Sequence, residues 1–159
     1  MEHEIYVSRE VKNLGHNNAA RLIKQAAIRA LEAEQIDVNC IISVMLTDDA
    51  GIRQLNQDFR GIDRETDVLS FPLNELEPGA IDQDVCEKDL DTGAVLLGDM
   101  SISIPRCEEQ GRDFGHGFDR EIQYLTVHSV LHLLGYDHLD EGPMKAQMRA
   151  REKAIMGDD

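Results

Sequence analysis

Apolar positions recur along the chain at two spacings, and their alternation sets out an order of strands and helices. Ile5 to Val7 is a short strand candidate. From Ala19 to Glu34, residues Leu22, Ile23, Ala26, Ala30 and Leu31 share one side of a helix that Asn17 or Asn18 is placed to cap. Val38 to Leu46 is β-branched and almost continuously apolar, the pattern of a central strand. Thr47 or Asp48 then caps a helix with Ile52, Leu55 and Phe59 on its apolar side, ending before Gly61. Val68 to Phe71 forms a strand stopped by Pro72, and Ala94 to Ile104 another, interrupted at Gly98. A helix is predicted from about Arg120 to Leu134, with Asp119 as its cap, Ile122, Leu125, Leu131 and Leu134 as its apolar positions, and Gly135 closing it. Pro143 opens a final helix carrying Met144, Met148 and Ile155. The order β, α, β, α, β, β, α, α predicts an α+β fold. A sheet of about four strands packs against several helices, and residues 1–159 form one domain.

Length supports that picture. A chain of 159 residues buries roughly 70% of its unfolded surface on folding, so it needs no disulfide or structural metal to hold a core. No apolar run is long enough to cross a bilayer, and the N-terminal stretch MEHEIYVSREVK lacks the basic start and apolar core of a secretory signal. Cys40, Cys86 and Cys107 are few, scattered and form no CxxC pair, and Cys40 sits in an apolar run as a small hydrophobe. The expectation is a soluble cytoplasmic protein with no membrane partner.

The formal charge of −15 lowers the prior for a polyanionic partner. Part of it is local: Glu75 to Asp91 holds seven acids and one base, Lys88, around Pro78 and Gly79, the composition of a solvated loop. Any site for nucleic acid must therefore be a local cluster of cations. Arg64, Arg106, Arg112 and Arg120 are candidates for such a track, each competing with an ordinary surface role.

The chemistry concentrates in HSVLHLLGYDH, where His128, His132 and His138 follow the pattern HxxxHxxGxxH. Residues i and i+4 stand one above the other on a helix, so two imidazoles converge on one ion with little ordering cost. Gly135 accepts a positive φ, ending the helix and returning the third histidine to the same ion. Three neutral imidazoles suit zinc and leave one position for water, forming a metal cleft from the histidine-bearing helix and the turn after it. Taken singly, His3, His16 and His116 have no partner spacing and read as core or surface residues. Asp99, Glu121 and Asp137 are the carboxylates placed to orient an imidazole from behind.

Position 129 selects among reactions. The histidine spacing matches the metzincin peptidases, in which a glutamate follows the first histidine and acts as general base. Here that residue is Ser129, so peptide hydrolysis lacks its base. The segments HSVLHLLGYDH, FRGIDRETDVLSFP from Phe59 to Pro72, and LLGDMSIS from Leu96 to Ser103 together resemble the YbeY endoribonucleases over essentially the whole chain. The resemblance implies an α+β fold, zinc held by His128, His132 and His138, and a catalytic Arg60. It also implies cleavage of single-stranded RNA in three-prime-end maturation of small-subunit (16S) rRNA and in ribosome quality control, with the ribosome as partner and no DNA substrate. In that mechanism metal-bound water or hydroxide attacks the phosphodiester while the Arg60 guanidinium stabilises the anionic transition state. One departure is visible: Ser129 stands where the family usually has glycine. Two alternatives compete, a metzincin-like peptidase and a noncatalytic ribosome assembly factor with a structural metal. The latter requires a fourth protein ligand and indifference to loss of Arg60.

Overall fold

In the computed structural model, residues 2–78, 80–136 and 143–157 are described. Four strands form one sheet in the order β1-β2-β4-β3. These are β1 (Glu4–Arg9), β2 (Cys40–Thr47), β3 (Val68–Pro72) and β4 (Val95–Ser103). β1, β2 and β4 run parallel and β3 is antiparallel at the edge. The helices among the described residues are α1 (Ala19–Ala33), α2 (Asp49–Arg60), α3 (Ile104–Asp113), α4 (Gly117–Leu133) and α5 (Pro143–Met156). The fold is therefore a single compact α+β domain.

The period-2 alternation of the strands divides the sheet into two unlike faces. One carries Ile5, Ile42, Val44, Leu46, Met100 and Ile102 into the main cluster, where α1 and α4 supply Leu22, Ala26, Leu31, Leu125 and Leu131. On the other, the cross-strand row Tyr6, Ser43, Asp99 and Phe71 is at least partly open, and α2 covers only the neighbouring ground around Ile52 and Leu69. No helix among the described residues is long and apolar enough to cross a membrane.

Several local expectations are corrected. Asp48, rather than Thr47, caps α2, its carboxylate accepting from the Gly51 N–H at 2.8 Å. Asn18 occupies the N-cap position of α1 but makes no capping bond; its amide donates to Asp119 at 3.3 Å. Asp119 lies in the first turn of α4, which begins at Gly117. Phe59, expected on the buried side of α2, is 68% exposed and meets Phe71 edge to face. Helix α3 is absent from the sequence prediction because IPRCEEQGRD is mostly polar and buries only Ile104, Cys107 and Gly111. Ser103 ends the preceding strand and starts this helix, its hydroxyl accepting from the Arg106 N–H.

The strand β4 is not interrupted at Gly98; it continues through a bulge. Ile41 pairs with Leu96 and Ile42 with Gly98, so an extra residue, Leu97, is accommodated and buried. Gly98 adopts φ +146°, and a β-carbon there would lie 2.4 Å from the Phe71 carbonyl oxygen. Only glycine lets β3 approach β4 at that point. Gly98→Ala is expected to lower stability by more than about 1 kcal/mol in urea unfolding. Leu90→Ala, at a fully exposed position, should move it by less than about 0.5 kcal/mol.

Candidate active site

Helix α4 is buried on most of its circumference. Ile122, Leu125, Val127, Val130, Leu131 and Leu133 are all at or near zero exposure, as are the polar Glu121, Thr126 and Ser129. Its neighbours are α1, α3, α5, β3 and β4. The stretch left open presents His128 and His132, whose rings stand edge to face with centroids 4.7 Å apart.

Each ring is oriented through its Nδ1. The His128 Nδ1–H donates to Glu152 of α5 at 2.7 Å, and the His132 Nδ1–H to the Tyr136 carbonyl oxygen at 3.0 Å. A carboxylate and a carbonyl only accept, so each ring carries a proton on Nδ1, and in its neutral form has its lone pair on Nε2. That is the tautomer a zinc-class ion requires, and a carboxylate behind a ligand imidazole is the usual supporting arrangement.

The supports are themselves held. Glu152 also accepts from the Tyr124 hydroxyl at 3.2 Å, and burial together with that carboxylate pushes the Tyr124 hydroxyl's pKa well up. Tyr136 donates its hydroxyl to Glu34, whose other oxygen takes the Arg151 Nε–H at 2.6 Å. Burial, then the Glu34 hydrogen bond, pushes the Tyr136 pKa up to about 12, so it stays a donor. At the helix end the Tyr136 N–H donates to the Leu131 carbonyl and the Gly135 N–H to that of His132. Gly135 takes φ +106°, as the spacing predicts. A β-carbon there would lie 2.2 Å from the Leu76 carbonyl oxygen, so the acidic segment lies directly against this turn.

His138 and Asp137 lie outside the described residues, within 137–142. Among the described residues no three histidine, cysteine or acidic side chains converge as a metal site. A zinc-class ion held by these two histidines would need a further ligand, and His138 is the one the spacing names.

The two histidines open into a cleft of about 520 Å³ bordered by β3, Arg60 and Tyr136. Arg60 is the last residue of α2, and among the described residues no hydrogen bond or ion pair engages its guanidinium. It is the only arginine among the described residues that lines this cleft. Arg64 and Arg106 border a separate hollow with Arg53, where Arg106 pairs with Glu65 and Arg53 with Asp63. Asp67 and Glu75 lie on the cleft wall, and Asp67 is engaged by the Val68 N–H at 2.7 Å.

Two of the carboxylates expected behind the histidines, Glu121 and Asp99, are elsewhere. Glu121 is buried but accepts from His116 at 2.7 Å, burial raising its pKa against that bond. Asp99 is exposed on the outer row of the sheet. Glu152 fills the role, and a sequence signal for it existed. It lies four residues after Met148 and three before Ile155, a carboxylate within the apolar stripe of α5. Cys40 is buried, as its apolar run suggests, and burial pushes its thiol up to about 12, far from nucleophilic.

A family model described as Endoribonuclease YbeY matches residues 4–158. The chain belongs to the YbeY family. An Endoribonuclease YbeY of Clostridium botulinum (strain Loch Maree) is 47% identical over 140 residues, covering 84% of each chain. Another, from Caldicellulosiruptor saccharolyticus, is 41% identical over 138 residues, covering 87% of this chain and 85% of that one. The solution structure of TM1509 from Thermotoga maritima superposes with a TM-score of 0.57 at 28% identity, covering 97% of this chain and 90% of that one. Within this YbeY chain, Glu152 is the residue whose loss should be felt first at the histidines. Glu152→Gln is expected to weaken zinc binding about tenfold and Glu152→Ala about a hundredfold. Competition against a chromophoric chelator measures this, with circular dichroism verifying the fold.

Proposed function

We propose that this chain is a zinc-dependent endoribonuclease that cuts single-stranded RNA. Its place would be in the cytoplasm, in three-prime-end maturation of small-subunit rRNA and in ribosome quality control, with the ribosome as partner. The observation that carries the reading is the meeting, in one cleft, of two histidines held through Nδ1 with an arginine that has no partner among the described residues. Family membership supports it, since the curated relatives are named endoribonucleases.

His128 and His132, joined by His138, would hold the ion. Bound there, zinc supplies Lewis acidity and makes water a competent nucleophile near neutral pH. The rest falls to the chain's own side chains. Arg60 clamps the scissile phosphate through its planar fork and stabilises the charge that builds on the non-bridging oxygens. Glu152 and the Tyr136 carbonyl fix the two rings, so no reorientation is needed as the charge develops. Lying beside Arg60 and the histidines, β3 forms the wall along which the RNA backbone passes.

The peptidase reading finds no support at position 129. Ser129 is fully buried and hydrogen-bonded to Ser70, so it does not stand where a general base would meet water. The noncatalytic reading is separated by experiment. With zinc-loaded protein, wild type is expected to cleave single-stranded RNA and leave casein intact, and chelation of the metal to abolish cleavage. His132→Ala should lower the rate at least about a hundredfold and Arg60→Ala by about the same factor. Full activity in both variants at equal purity would assign the cleavage to a contaminant. Normal ribosome maturation with Arg60→Ala would favour the assembly factor.

A further inference from the structure

The hydroxyl of Ser70 on β3 lies 2.6 Å from that of Ser129 on α4, directly after the first histidine. The two residues stand differently towards the cleft. Ser129 has no exposed surface, whereas Ser70 is half-buried and lines the cleft with His128, His132 and Arg60. Among the described residues, the Ser129 hydroxyl has no other hydrogen-bond partner than Ser70.

That asymmetry fixes the direction of the bond. A buried hydroxyl whose proton is left unmade suffers the full desolvation penalty, while an oxygen with a spare lone pair suffers less. Ser129 therefore donates and Ser70 accepts. With its oxygen already accepting from below, Ser70 turns its own proton outward, beside a guanidinium that has no partner among the described residues. An acceptor suited to both donors is an anionic oxygen.

We infer that Ser70 is a substrate-contacting residue that donates to a non-bridging phosphate oxygen of the RNA, and that Ser129 is the positioning residue that aims it. This deepens the nuclease reading and rests on it. It also gives Ser129 a use, since a glycine at that position could not hold the Ser70 hydroxyl. A purely structural alternative exists, in which the two serines only clasp α4 to the edge strand.

Single-turnover cleavage of a single-stranded RNA oligonucleotide separates the two, with zinc affinity and thermal midpoint measured for every variant. Ser70→Ala is expected to slow cleavage about tenfold, and Ser129→Ala about threefold, with zinc affinity unchanged. The double variant should be no slower than Ser70→Ala alone, because Ser129 acts through Ser70. Ser70→Thr keeps the donor and should restore the rate to within about twofold. Wild-type speed in Ser70→Ala overturns the proposal while leaving the nuclease reading intact. So does a loss in Ser129→Ala that persists unchanged when Ser70 is already alanine, or that follows a fall in zinc affinity. A zinc-loaded wild type that cuts no RNA overturns the nuclease reading and this inference with it.

Discussion

Burial of α4 is the constraint on which the rest of the molecule depends. A helix wrapped by α1, α3, α5 and the edge strand cannot roll or slide without opening the core, so residues on its one uncovered stretch are delivered at fixed positions. The polar groups that such burial traps are each given a partner. Thr126 bonds back to the Ile122 carbonyl, Glu121 takes His116, and Ser129 takes Ser70. The histidines inherit this rigidity, and Glu152 and the Tyr136 carbonyl convert a fixed backbone into fixed ring tautomers.

Charge works at shorter range than the overall acidity suggests. Several arginines are committed to acids: Arg53 to Asp63, Arg106 to Glu65 and Arg151 to Glu34. Arg60 is the exception at the cleft, and its field is felt over a few ångströms because a Debye length at physiological salt is about 8 Å. The same cleft holds Asp67 and Glu75, so its own side chains are not cationic on balance. A dication at the histidines would reverse that local sign. Metal and phosphate binding would therefore be coupled by simple electrostatics, letting an acidic protein engage a polyanion at one point without attracting it elsewhere.

Much of the scaffold was legible because it obeys strong periods. The four strands, the central place of Cys40–Thr47 and the apolar sides of α1 and α4 follow from spacing alone. Helix α3 escaped because its sequence offers few apolar positions and its start is signalled by a serine that also ends a strand. The bulge at Gly98 looked like a break because glycine signals both. At the site, i, i+4 geometry was enough to bring two histidines and the following glycine turn together. The supporting carboxylate was harder, since Glu121 is nearer in sequence and on the same helix, and Glu152 approaches His128 only through tertiary packing of α5. The Ser70–Ser129 contact spans 59 positions and leaves no trace in either local pattern.

The partner of the His128 ring lies 24 positions further along the polypeptide. Synthesis runs from the N-terminus, so the residues of β1 to β4 and of the histidine helix are all made before that carboxylate. The first imidazole can therefore be oriented only once α5 has been made and has packed against α4, which makes this orientation a late product of tertiary packing.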